Sequence, residues 1–293
     1  MQGIIIENVA NLYRVKTEQG VFDAMARGKF KQDDVSPVVG DQVEIEITDA
    51  EKKVAVIEKI FDRKNYTKRP KLANVTQMIF VVSSKNPKPD FLLLDKQLAY
   101  AEFLGLNVVI VFNKVDLDDK KLLEEEKVIY KKIGYPVVET NAKIGQGLPE
   151  LKKLLQDEVN VFSGNSGVGK STLINAIFGD DITQEGEVSK KNKRGKNTTT
   201  ATKLYEIAEN TYIADTPGFS TFEITELESK DLAYYFREFV PEISNCEFVS
   251  CTHIKEEKCG IKDAILQGRI SEKRYERFCK IYQELRQREE RKW

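Results

Sequence analysis

Residues 108–117 read VVIVFNKVDL, a run of branched apolar side chains that ends in Asn-Lys-x-Asp. A short apolar run closed by a polar turn predicts a buried strand of a parallel sheet, with the polar tetrad in the loop at its C-terminal end. In such a loop the Asp116 carboxylate can accept two hydrogen bonds from the N1–H and N2 amino group of guanine, a donor pair that adenine lacks. Asn113 is expected to orient the loop and meet the other edge of the base, and the stem of Lys114 to cover its face. A lone tetrad of this kind is more often a plain turn, so its weight depends on its companions.

The strongest companion is GNSGVGKS at 164–171, which fits G-x-x-x-x-G-K-[ST] between the strand VNVF and the helix STLINAIF. Backbone N–H groups of Gly164, Asn165, Ser166, Gly167, Val168 and Gly169 are expected to close on phosphate oxygens, with the helix start at Thr172 adding its dipole. Lys170 should reach the β- and γ-phosphates, and the Ser171 hydroxyl should ligate Mg²⁺. DTPGF at 215–219 follows the strand TYIA. There Asp215 is placed to hold Mg²⁺, and the Gly218 N–H to meet the γ-phosphate and report its loss. TNAK at 140–143 ends the strand after the Asn-Lys-x-Asp loop. GTPases carry an S-A-K-like loop in that place, so Asn141, Ala142 and Lys143 are expected to form a second guanine loop, with the Ala142 N–H on the guanine oxygen. In an ordinary small GTPase both guanine loops follow the phosphate loop; here both precede it. A circular permutation explains the order, because strands keep their places while the termini move to another surface loop.

The chain has 293 residues, 41% hydrophobic and 32% charged, with a formal net charge of −1. That is the texture of a soluble globular protein, and it argues against a nucleic-acid binder that is basic over its whole surface. No apolar run approaches the roughly 18 residues of a membrane span, and MQGIIIENV lacks the features of a signal peptide, so a cytoplasmic protein is expected. Three regions differ in pattern. Residues 1–68 carry short alternating runs (GIIIENVANLYRVKT, VFDAMARGKF, DQVEIEIT, KVAVIEKIF) that predict five strands and a small closed β-barrel of the OB-fold kind. Residues 69–224 alternate apolar strands with amphipathic helices, predicting an α/β domain. Residues 225–293 turn helical around a cysteine cluster. The Lys- and Thr-rich stretch SKKNKRGKNTTT at 189–200 predicts a loop.

Three of the four cysteines and the only histidine fall in CEFVSCTHIKEEKC, residues 246–259. Cys246, Cys251, His253 and Cys259 make a donor set for one tetrahedral zinc; three buried thiols beside a surface histidine is the plainer alternative. Cys279 lies among Tyr275, Phe278, Tyr282 and Leu285 at helical spacing, which predicts core packing.

The order NKVD, TNAK, GNSGVGKS, GKNTTT, DTPG, with RGKF at 27–30, PVVGD at 37–41, KRP at 68–70 and C-x4-C-x-H-x5-C, resembles the RsgA family of circularly permuted bacterial GTPases over essentially the whole chain. The resemblance implies an OB-fold that contacts ribosomal RNA, a GTPase centre using GTP, GDP and Mg²⁺, and a zinc domain that docks on the small ribosomal subunit. It further implies GTP hydrolysis stimulated by that subunit late in its maturation, by a monomer without membrane attachment. Asn141 in place of the usual Ser is a mild departure, and two further positions depart from expectation. Asn197 stands where family members commonly carry a His before the Thr run, and an amide cannot take a proton from water near neutral pH. Phe219 stands where Ras-like enzymes carry a water-orienting Gln. Asn197 is the candidate to hold the attacking water with Thr199, and Thr199, or Thr198 beside it, to ligate Mg²⁺. The basic residues Arg27, Lys29, Lys31, Lys190, Lys191, Lys193, Arg194 and Lys196 read equally as RNA contacts or as solvated loops. A nucleotide-gated RNA-binding module with lost turnover, and a structural RNA chaperone, remain the competing classes.

Overall fold

The computed structural model describes residues 1–28, 30, 36–68, 71–117, 121–179, 202–215 and 226–291. They gather into two compact units, one of Met1–Ile79, Leu148–Ser163 and Lys170–Ser220, the other of Phe80–Gly147, Gly164–Gly169 and Thr221–Trp293.

In the first unit, strands β1 (Gln2–Val9), β2 (Leu12–Thr17), β3 (Gly20–Ala26), β4 (Gln42–Asp49) and β5 (Val54–Ile60) close in the order β1-β2-β3-β5-β4-β1. Only β3–β5 is parallel. This is the five-stranded barrel expected for an OB-fold. Closure needs β1 to serve two neighbours. Its first residues pair with β4, its remainder pairs with β2, and the register shifts between Ile5 and Glu7. The two-residue period carries the core: Tyr13, Val15, Val43, Ile45, Ala55 and Ile57 are buried, while Arg14, Glu44 and Glu46 are exposed. After the barrel strands, β6 (Tyr66–Lys68) and β7 (Lys71–Ala73) pair in a hairpin that the alternating pattern did not announce, with Leu72 bridged to Val39. The fully buried Asp41 of PVVGD accepts the Val38 N–H at 2.7 Å and both Nε and Nη2 of Arg63, at 2.7 and 2.8 Å.

The chain passes to the second unit within β8 (Gln77–Ser83), and helix α1 (Phe91–Phe103), β9 (Asn107–Asn113), α2 (Lys121–Ile133) and β10 (Val137–Thr140) follow there. The strands lie in the order β10-β9-β8, with β9 and β10 parallel and Asn113 opposite Thr140. Every residue of β8, and all of β9 but Asn107, is buried. Burial on both faces is why these strands read as unbroken apolar runs. Asp90 starts α1 by accepting the Leu93 N–H at 2.9 Å. The first unit then receives α3 (Leu148–Leu154), β11 (Val159–Ser163), α4 (Lys170–Phe178), β12 (Lys203–Ala208) and β13 (Thr211–Asp215). There β13 runs parallel to β11 and antiparallel to β12, and β12 meets β1 at Glu7↔Lys203.

The chain returns to the second unit for α5 (Val240–Ile243), α6 (Gly260–Leu266) and α7 (Glu272–Glu290). Phe236, Phe239 and Phe278 meet with ring centroids 4.9–5.2 Å apart at the centre of a core that also takes in Ile281, Leu285 and, from α1, Ala99 and Tyr100. Cys279 packs against that cluster, half-buried, as the helical spacing predicts. Buried charge joins the same helices. The fully buried Asp95 of α1 accepts from Tyr130 Oη of α2 at 2.7 Å and from Arg274 and Arg277 of α7. Arg274 also reaches Glu238 at 2.7 Å, and Arg277 grips Glu126 at 2.9 and 3.0 Å. No helix among the described residues is long and apolar enough to cross a membrane.

Candidate nucleotide site and metal centre

Residues 164–169 cross the end of β8 with Gly164 at φ 145° and Gly169 at φ 99°. A Cβ on Gly164 would lie 2.3 Å from the Val81 carbonyl oxygen, and one on Gly169 would lie 2.4 Å from Asn113 Nδ2. The first glycine therefore lets the loop lie on β8, and the last lets the Asn-Lys-x-Asp turn close over it. Asn113 is 2% exposed and joins three segments. Its Nδ2 donates to the Val168 carbonyl at 2.9 Å, and its Oδ1 accepts from Thr140 Oγ1 at 3.0 Å and from the Ala142 N–H at 3.4 Å. One side chain thus ties the first guanine loop to the second and to the phosphate loop. Lys114, in the left-handed region at φ 63°, adds a second tie: its Nζ donates to the Gly167 carbonyl at 2.6 Å and to the Asn86 carbonyl.

Asp116 sits in a 3-10 turn, Val115–Leu117, exposed and without a hydrogen-bond partner among the described residues. A carboxylate held at the rim of the bracket in this way can accept from a base. Asn141, 6% exposed, folds its Oδ1 back onto the Lys143 N–H at 3.1 Å, while its own N–H donates to the Gln146 carbonyl at 3.1 Å. That is an Asx-type turn, which gives Asn a local reason to stand where an S-A-K-like loop has Ser. Thr140, whose hydroxyl fixes Asn113, carried no role in the sequence reading. Its only signal was its place at the end of the strand before Asn141.

In the first unit, Lys170 and Ser171 open α4, with Thr172 next, and Asp215 closes β13. Burial lowers the Lys170 ammonium below its ordinary range. An anion beside it would restore the charged form. Asn197, Thr198, Thr199, Gly218, Phe219, Lys29, Lys31 and the basic residues from Lys190 to Lys196 lie outside the described residues. Arg27 pairs with Glu46 at 3.1 Å and with Glu58 at 2.5 Å on the barrel surface.

The four predicted metal donors do come together. The ligand atoms of Cys246, Cys251, His253 and Cys259 all lie within 4.8 Å of one another. His253 Nδ1 is 3.5 Å from the sulfurs of both Cys246 and Cys259, and those sulfurs are 4.0 Å apart. A tetrahedron with metal–sulfur bonds of about 2.3 Å and a metal–nitrogen bond of about 2.0 Å has edges close to these lengths, so the residues fit a zinc ion. The shell around them is built too. His253, at φ 63°, offers its carbonyl to Tyr275 Oη at 2.8 Å. The Glu256 carboxylate accepts from the N–H groups of Thr252, Ile254 and Lys255. Burial would raise its pKa, but these donors outweigh it and hold it at about 2. Burial also pushes the Cys251 thiol up to about 12, raises Cys259 and lowers His253. A divalent cation reverses that preference for thiols, because it binds thiolates.

A guanine loop that precedes the phosphate loop in sequence yet is hydrogen-bonded to it in space defines a circularly permuted P-loop GTPase. A family model described as RsgA GTPase matches residues 60–225, and one described as RsgA N-terminal domain matches residues 2–57. The chain belongs to the RsgA GTPase family, and it is a GTP-hydrolysing enzyme. A relative from Ruminiclostridium cellulolyticum, named small ribosomal subunit biogenesis GTPase RsgA, is 39% identical over 97% of this chain and 93% of its own. The crystal structure of YjeQ from Thermotoga maritima is 37% identical with a TM-score of 0.85, covering 97% of this chain and 98% of that one. The crystal structure of YloQ, described as a circularly permuted GTPase, is 30% identical with a TM-score of 0.82, over 98% and 95% of the two chains.

Proposed function

We propose that the chain acts in late maturation of the small ribosomal subunit, binding the subunit and its ribosomal RNA in the GTP state and hydrolysing GTP to GDP and phosphate under its stimulation. The observation that carries this is the 39% identity, along nearly the whole of both chains, to a relative named for that role. Within this reading the divisions are an RNA-contacting barrel at 1–68, the GTPase at 69–224 and a zinc domain at 225–293. The first two are supported by the matches at 2–57 and 60–225. Asp116 selects guanine, supported by its exposed and unpartnered carboxylate among the described residues. Asn141, Ala142 and Lys143 flank the base, and residues 164–169 with Thr172 wrap the phosphates. Lys170 balances the β- and γ-phosphate charge. Ser171, Asp215 and Thr199 are the residues to hold Mg²⁺, which supplies charge neutralisation between the phosphates. Asn197 and Thr199 hold the attacking water, and Gly218 reports the γ-phosphate. One zinc on Cys246, Cys251, His253 and Cys259 fixes the C-terminal domain. The protein works as a cytoplasmic monomer.

The test is GTP turnover with and without purified small subunits. Slow release of phosphate by the free protein, accelerated severalfold by subunits, is the expected result. A rate indifferent to subunits would remove the ribosomal part of the proposal, and Asn197→Ala turning over as fast as the native protein on the subunit would remove Asn197 from the water site.

A further inference from the structure

Ser83 is the last residue of β8, and Ser84 follows it at the strand's end. Ser84 is accounted for: its hydroxyl and its N–H donate to the Asn113 carbonyl at 2.9 and 3.0 Å, holding the guanine loop. Ser83 is not. It is 1% exposed, and its hydroxyl has no hydrogen-bond partner among the described residues. Buried hydroxyls in folded proteins are paired, with protein or with ordered water.

Ser83 borders a cavity with about 10 Å³ open to the centre of a water molecule, whose other walls include Gln97 of α1 and Gly164, Asn165 and Val168 of the phosphate loop. That is room for about one water, and Asp90, Gln97 and Asn165 are polar residues that share its walls with Ser83, which gives such a site polar partners to keep it wet. The location matters because the phosphate loop lies directly on this strand, with Gly164 against Val81. Its N–H groups can face a nucleotide only if its other side is supported.

We infer that a single ordered water is held in this cavity, that Ser83 anchors it, and that it supports the phosphate loop from behind, which makes Ser83 a positioning residue for nucleotide phosphates. The inference rests on the guanine-nucleotide site proposed above. The ligand is water itself, and the serine pair divides the work: Ser84 fixes the guanine loop directly, and Ser83 fixes the phosphate loop through the water.

Two measurements on the full-length protein test it. A crystal structure of the GDP complex at a resolution that shows waters should contain one in the cavity, within hydrogen-bond distance of Ser83 Oγ. Release of a fluorescent GDP should be about 2- to 10-fold faster in Ser83→Ala, the effect of one hydrogen bond, and restored toward native by Ser83→Thr, which keeps the hydroxyl. A dry cavity overturns the inference, and so does a Ser83→Ala protein that releases GDP at the native rate. Failure of the native protein to bind GDP would instead overturn the proposed nucleotide site, so the two failures are distinguishable. Ser83→Ala removes only the hydroxyl oxygen, and a thermal midpoint near native separates positioning from loss of fold.

Discussion

At the scale of single residues, Asn113 is the position on which the nucleotide site turns. Its amide is bonded to Val168, Thr140 and Ala142, and it is almost wholly buried. Truncation to alanine would leave a carbonyl, a hydroxyl and an N–H without partners in a dry place, at a cost of about 1–3 kcal/mol for each group that water cannot reach. Asn113→Ala is therefore expected to lower stability by at least that range in urea unfolding and to weaken GDP binding more than tenfold. Native-like stability and affinity in that variant would mean the three loops are held by something else. Asn113 and the glycines were legible because chemistry limits the residue types: an amide that donates on one side and accepts on the other, and glycine where a Cβ has no room. The partners of that amide were not. Thr140 and the Val168 carbonyl are ordinary groups, and only the fold brings them to Asn113. Asn141 looked like a departure in sequence, and its local turn gives it a structural reason.

At the scale of elements, α7 shows what an amphipathic pattern conceals. Phe278 and Leu285 were readable as core, and both are buried. Arg274 and Arg277 drew no reading from the pattern, yet Arg274 is 1% exposed and both arginines close on Asp95 of α1. Nothing in a helix's own spacing says that an acidic partner waits on an element some 180 residues away. The desolvation that such a cluster requires makes it costly to break: removing one member leaves buried charge uncompensated, typically about 3–5 kcal/mol. Asp95→Ala should lose stability in that range by denaturant titration, and a loss below about 1 kcal/mol would show that water reaches the cluster. The clustering of Cys246, Cys251, His253 and Cys259 was legible, because three thiols and an imidazole within fourteen residues have few other uses, and the structure brings them together. Metal analysis should find one zinc per chain, and chelation should unfold the segment around α6 first, seen as faster hydrogen exchange there than in the barrel. A metal-free protein with unchanged exchange around α6 would contradict a structural zinc.

At the scale of the whole molecule, the fold follows from the order of its strands. The barrel was legible from alternation because each strand has one dry face and one wet face, and the central strands were legible from their unbroken apolar runs. The β6–β7 hairpin was not, being too short to show a period. The permutation was visible in the motif order alone, and Asn113 and Lys114 show its spatial counterpart by bonding forward to Val168 and Gly167. If these separated segments make one guanine-nucleotide site, the nucleotide selectivity of the native protein and of Asp116→Asn will show it. Titration with fluorescent GDP, XDP and ADP should give one GDP per chain for the native protein, with ADP weaker by roughly 100-fold or more, the worth of two hydrogen bonds to a charged acceptor. Asp116→Asn should reverse the order and prefer XDP, because its amide can donate to the xanthine oxygen where the carboxylate only accepts. Equal binding of GDP and ADP by the native protein, or GDP affinity unchanged in Asp116→Asn, would mean that Asp116 and the loops around it do not form a guanine-selective site.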